Sequence, residues 1–395
     1  MKQGWLKILD LCSEYSLYGL ILFIPISTAA VETFFGFCLL FFMIKKAINP
    51  DFKIFKSYTH LFLLLFIIFS AASLFNSGPY IIKSLKALFF KWAEYVLIFL
   101  IAQDTLANFK RRRHICIYIL LGMACILVID SFSQHFLGIE FIRQRGMFRP
   151  GGYSRLFSVT ASFQHYNDYA SFLVVALSLS LALLIPKQKK IYNFGLYLLI
   201  GLTIASLLLT FSRGSWLAFV LSLVLMLFIS RKVKKIFPIL AAFIILIISL
   251  PGTKERVDFT FGVTGDADRF IVWRSAARMI KENPFLGKGL GTFMDYFHKY
   301  VPQLFVQYAH NCYLQIWAEA GIFSLLFFLI FLSLLLLGGI KTFKAKGDYI
   351  ALGLVCGIFG FLVHSFFDTQ FYSLQMSSFF WAAAGILQSI TTEVK

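Results

Sequence analysis

The chain has 395 residues, 59% of them hydrophobic and only 14% charged, and Phe alone occurs 48 times. A water-soluble domain is nearer half apolar and a quarter charged, so lipid must be the solvent for much of this surface. The formal net charge of +18 would suit a nucleic acid, but the basic residues fall in short clusters between apolar runs. That pattern excludes nucleic acid as a partner and points to topological signals.

A bilayer core needs about 20 apolar residues per helix. In chain order the apolar runs cover 15–30, 31–45, 59–76, 84–103, 114–134, 163–185, 192–211, 213–230, 236–250, 311–340, 348–366 and 372–390. They predict an all-α polytopic membrane protein of about 12 transmembrane helices. The first two runs are continuous. They are divided at Pro25 and the Ser27–Glu32 stretch, because a single helix of that length would overshoot the membrane.

The loops set the orientation. With the N-terminus in the cytoplasm, the inside connections carry Lys45, Lys46, Lys53 and Lys56, then Lys110–Arg113, then Lys187, Lys189 and Lys190. Further on they carry Arg231, Lys232, Lys234 and Lys235, then Lys341, Lys344 and Lys346. Every second loop is short and basic, so both termini are expected in the cytoplasm. The first apolar stretch reads as an uncleaved anchor. The six cysteines show no CxxC spacing, and neither a disulfide framework nor a zinc site is expected.

Three segments follow. Residues 1–250 hold nine spans with an external loop at 135–162, and 310–395 hold three more. Between them, 251–309 form a large external loop with two amphipathic helices, about 266–282 and 290–301. Pro284 and the glycines of Gly287-Lys288-Gly289-Leu290-Gly291 separate those helices as a flexible turn. Gly353 and Gly357 form a GxxxG that implies close helix packing. Few charges enter the spans, and Glu94 and Asp130 are placed near span ends. That argues against a transporter or anion channel, which the helix count and outward basic charge would also suit.

The external cations carry the chemistry. Arg213 falls between two apolar runs, at the outer end of the eighth span, where Ser212 can cap the new helix. Its alternatives, anion binding and snorkelling to the interface, stand level. Within 266–282, Arg274, Arg278 and Lys281 share one polar stripe. Arg269 instead falls on the face of Phe270, Trp273, Ala276, Ala277 and Ile280. An arginine on a packed face is costly unless it meets an anion. That anion is either an acid such as Asp368 or, the favoured reading, a ligand such as a diphosphate. His310 precedes Asn311 and a long apolar helix on the outer surface. A neutral imidazole there can take a proton from a hydroxyl, although capping alone would also explain it. Asp266-Ala267-Asp268 reads as a helix cap rather than a metal pair, and no HExxH, G-x-S-x-G or P-loop occurs. No metal and no cofactor are expected.

Four stretches together resemble the O-antigen ligase / O-antigen polymerase superfamily. They are Ser212–Ala218, Arg269–Trp273, the Asn283–Phe293 run with its P-x-x-G-x-G-x-G, and His310–Gly321 with its His-Asn start. In order and layout the resemblance covers essentially the whole chain. It implies a GT-C-like helical glycosyltransferase with a periplasmic active site, working without a metal. The implied donor is a glycan on undecaprenyl diphosphate. The implied acceptor is lipid A–core in a ligase, the reading placed first, or another lipid-linked repeat unit in a polymerase. Carried over motif by motif, Arg213 and Arg269 would hold the diphosphate and His310 would be the base. Cys312 stands where a small hydroxyl residue is expected. The region 143–168 matches loosely and leaves Arg143, Arg149, Arg155, His165 and Asn167 as candidate substrate contacts, together with Asn311 and Arg274. A structural scaffold is the third reading, and it predicts no effect of single site substitutions.

Overall fold

The structure is a computed structural model that describes residues 2–147, 157–249, 267–302 and 308–392. Among these residues it is helical, with no strand; Ile139 and Gly146 pair in an isolated bridge. The long helices are α1 (Lys2–Phe23), α2 (Thr28–Ile48), α3 (Tyr58–Ala72), α4 (81–106), α5 (Lys110–Leu137), α6 (Tyr166–Leu184), α7 (Lys190–Leu209), α8 (Arg213–Ser230) and α9 (Val233–Ser249). Two shorter ones follow, α10 (Ala267–Glu282) and α11 (Phe293–Tyr300), and then α12 (Cys312–Lys346), α13 (Tyr349–His364) and α14 (Leu374–Thr391).

A helix stands at each of the twelve apolar runs, and α10 and α11 stand at the two amphipathic segments. Among the described residues seven helices are by themselves long and apolar enough to cross a membrane: α2, α3 with its extension to Asn76, and α5, α6, α7, α8 and α12. The others fall short by that measure. For example, α13 has 16 residues, α9 has 17 with Pro238 inside, and α4 is interrupted by a π-turn at Leu88–Trp92. The break between α1 and α2 falls at 24–27, where Ser27 accepts the Ala30 N–H at 3.3 Å.

The first helix departs from expectation. It starts at Lys2, well before residue 15, because the charges of its first half have partners. Asp10 meets Lys45 at 2.6 Å, and Glu14 meets Arg112 at 2.7 Å. Asp104 on α4 completes the cluster with Lys46 at 2.6 Å. Lys45 and Lys46 therefore tie α2 to α1 and α4 as well as marking a loop, and Arg112 ties α5 to α1. Glu94 also departs from expectation, for it lies midway along α4 rather than near an end.

Close packing centres on α13, which lies mainly against α6 and α8. A Cβ on Gly353 would stand 2.9 Å from the Leu179 backbone, and one on Gly357 would stand 3.0 Å from that of Val175. The GxxxG does what small-residue spacing does in lipid: it lets two backbones approach. Because α13 is held so closely to α6 and α8, its last residue, His364, stands beside the first turns of both helices.

Candidate active site

His310 lies on a short link that is pinned on both sides. The indole N–H of Trp273 donates to the Ala309 carbonyl at 3.0 Å, and the Ala309 N–H donates to Gln315 at 2.9 Å. Asn311 caps α12, its side-chain oxygen accepting the Tyr313 and Leu314 N–H groups at 3.0 Å each. The Cys312 N–H donates to the Ser365 carbonyl at 2.9 Å, and its thiol to that of Asp368 at 3.2 Å. Between these anchors His310 takes φ 47°, a left-handed conformation that costs a non-glycine residue of order 1 kcal/mol or more. The surrounding contacts hold it there.

The imidazole Nδ1 faces Asp368 Oδ1 at 3.4 Å. The His310 side chain is 44% exposed and that of Asp368 10%. Burial alone would push the Asp368 carboxyl up. The His310 hydrogen bond and the nearby His165 and His364 rings outweigh burial and hold it well below the usual carboxylate range. Asp368 is therefore a fixed anion behind Nδ1, and Nε2 has no partner among the described residues.

Arg213 opens α8, whose start packs against His364 and Phe367. Gly214 makes the approach: a Cβ there would stand 2.8 Å from the His364 ring and 3.2 Å from Phe367. Ser212 occupies the N-cap position, but its side chain makes no capping bond. Its hydroxyl donates instead to Asn167 at 2.7 Å and lies 3.4 Å from His364 Nε2. The expected Ser212 cap is thus absent at the start of α8.

Arg269 arrives on α10. The buried residues of that helix are Val272, Ser275, Ala276, Met279 and Ile280. At about 100° per residue Arg269 stands at the edge of this face. Phe270 and Ala277, expected on the packed face, are exposed. One turn on, Trp273 binds Ala309 and rests on Phe366 at 6.1 Å between rings. Arg269 lies within electrostatic reach of His364 and forms no ion pair among the described residues. Asp368, the alternative partner expected for it, pairs with His310 instead.

The remaining candidates separate. His165 caps α6 through Nδ1, and burial lowers its imidazole pKa; the Asp368 charge opposes that shift and His310 adds to it. Asn167 is engaged by Ser212. Asn311 is buried as a cap. Arg274 is exposed with Arg278 and Lys281, on the stripe turned away from His310. Arg143 donates to the Ile26 carbonyl, and Arg145 to the Ser162 carbonyl at 2.6 Å, so both hold the fold. Arg149, Arg155 and Asp266 lie outside the described residues. Asp168, which reasoning from sequence passed over, accepts from Ser373 at 3.1 Å and lies within electrostatic reach of Asp368.

The glycine-rich link between α10 and α11 is a lock rather than a flexible turn. The Lys288 and Gly289 N–H groups donate to the Ala318 and Glu319 carbonyls at 3.0 and 2.8 Å. The Ile322 N–H reaches the Pro284 carbonyl at 3.0 Å, across a kink in α12 where Gly321 takes φ 83°. Glu319 is fully buried and accepts from the Gly291 and Phe293 N–H groups, from Gln315 and from the Tyr372 hydroxyl, at 2.9 to 3.2 Å. It joins the α10–α11 hairpin to the segment that carries Asp368. Each buried donor left unpaired costs about 1–3 kcal/mol, so Glu319→Ala is expected to lower the midpoint of thermal unfolding in detergent sharply. Protease should then cut first between residues 283 and 292.

An apolar groove of about 460 Å³ runs down the bundle wall from this place, between α8, α12 and α13. Phe366, Phe367 and Tyr313 form its head, and Leu217, Leu332 and Leu362 continue it. Among the described residues no cluster of three or more His, Cys, Asp or Glu is arranged around a metal position.

Residues 198–329, about a third of the chain, match the family model described as O-antigen ligase. That range takes in Arg213, Arg269 and His310 and stops short of Asp368. No curated protein matches the chain.

Proposed function

We propose that the chain is a member of the O-antigen ligase superfamily, whose family model matches residues 198–329, and a glycosyltransferase of the bacterial inner membrane. It moves a glycan from undecaprenyl diphosphate to a lipid A–core acceptor on the periplasmic face. The observation that carries this reading is the His310–Asp368 pair, with Phe367, the neighbour of Asp368, lining an apolar groove and packing against the start of α8.

The donor's leaving group is a lipid diphosphate, and negative charge grows on it as the glycosidic bond breaks. Arg213 and Arg269 are the guanidiniums that meet that charge, in surroundings where low dielectric strengthens them. Their planar forks suit phosphate oxygens, and they stay charged. The polyprenyl tail lies in the groove between α8, α12 and α13. An acceptor hydroxyl attacks the anomeric carbon from the opposite side, and His310 Nε2 takes its proton. Asp368 keeps the ring in the tautomer that leaves Nε2 free and stabilises the imidazolium that forms. Direct displacement inverts the anomeric centre.

Asp368→Asn tests the pair. The amide can keep a hydrogen bond to Nδ1 but favours the wrong tautomer, so kcat should fall by about 10²–10⁴ with KM for the donor little changed. An unaltered kcat would remove Asp368 from the mechanism. A polymerase would use the same site with a second lipid-linked repeat unit as acceptor. Lipid profiles of a deletion strain separate the two. Long polymer left on its carrier means ligase, and single repeat units on the core mean polymerase.

A further inference from the structure

At the end of the bundle opposite His310, a second groove of about 700 Å³ opens between α3 and α4. That volume is typical of a ligand site. Leu61, Leu64 and Ile67 form one wall, Val96 and Leu100 the other. Leu61 and Leu64 are 46% and 55% exposed, so the slot is continuous with the hydrocarbon around the protein. Its polar groups gather at one end, in Lys56, Ser57 and Tyr58.

That end is positive and uncompensated. Lys45 and Lys46, on the neighbouring α2, are both engaged by Asp10 and Asp104. Lys56 is exposed and forms no ion pair among the described residues. Ser57 stands at the N-cap of α3 without a side-chain capping bond. Its hydroxyl lies 2.7 Å from His60 Nδ1, and His60 Nε2 lies 2.7 Å from Gln103, so Ser57 is held away from the helix end. Ser57 and Tyr58, at the start of α3, line the same mouth as Lys56.

We propose that this groove holds one acyl chain of an anionic phospholipid, with the phosphate at Lys56. Charge complementarity at the mouth selects the headgroup, and the leucine walls take the chain. The site is separate from the transfer site and does not depend on the reaction proposed there.

Native mass spectrometry of the protein in micelles containing equal phosphatidylglycerol and phosphatidylcholine tests the proposal. The unaltered protein should retain one phosphatidylglycerol in preference to phosphatidylcholine. Lys56→Gln should reduce that preference about fivefold, the loss expected for one lysine near an anionic surface. Leu64→Trp, which fills the slot from its exposed side, should retain neither lipid. Equal preference in all three proteins, each melting as the unaltered one does, would overturn the proposal. So would a dimer that Leu64→Trp dissociates, because a second copy would then be the occupant.

Discussion

His310→Ala is expected to lower glycan transfer by about 10²–10⁴, the usual contribution of a positioned general base. The effect belongs in kcat, because the role proposed for the ring is on the attacking hydroxyl rather than on the bound donor. The fold should survive. The side chain is 44% exposed and its one hydrogen bond among the described residues is to Asp368. The neighbouring backbone is held by Trp273, Gln315 and Asn311 whatever stands at 310. Transfer assayed in membranes with matched protein levels, beside a melting curve, checks both halves. Full activity in a normally folded variant would leave capping as the role of this histidine.

Arg269→Gln is expected to cost about 10²–10³ in transfer, the scale of removing one preorganised group that faces developing charge. Arg269→Lys should recover only part, because an ammonium cannot grip two phosphate oxygens in a fixed fork. The structure sharpens this test. With no ion pair to Arg269 among the described residues, its loss orphans no carboxylate and stability should hold. Arg145 is the contrast. It binds the Ser162 and Phe163 carbonyls at 2.6 and 2.7 Å and lies beside buried Glu140. Arg145→Gln should therefore lower stability, and activity only through stability. Equal transfer by Arg269→Gln and unaltered protein would place Arg269 at the lipid surface rather than at the donor.

Much of the architecture was legible because lipid leaves a coarse signature. The twelve apolar runs, the two amphipathic helices and the GxxxG at Gly353 and Gly357 each follow from where apolar or small residues fall. The start of α1 was hidden by Lys7, Asp10 and Glu14, since pairing across helices cannot be read from local composition. The glycines of 287–291 read as flexibility. Their use, a close approach to α12, depends on a partner segment about thirty residues on.

The site divides in the same way. Arg213, Arg269 and His310 announce themselves by charge or ring chemistry in the wrong surroundings. Asp368 was noticed only as a partner for Arg269. Its pairing with His310, 58 positions away, needs the fold of α12 and α13. The available signal was weak: a lone acid just past an apolar run. Ser212 was expected to cap α8, and only the position of Asn167 shows where its hydroxyl goes.

Mapping the cross-links of undecaprenyl diphosphate that carries a photoreactive group near the phosphates tests the convergence most directly. Adducts should fall within 211–217, 269–273, 310–313 and 363–368, compete with unlabelled lipid, and diminish in Arg269→Gln. Saturable labelling confined to the α3–α4 side of the bundle, with those four segments unmarked, would contradict the account.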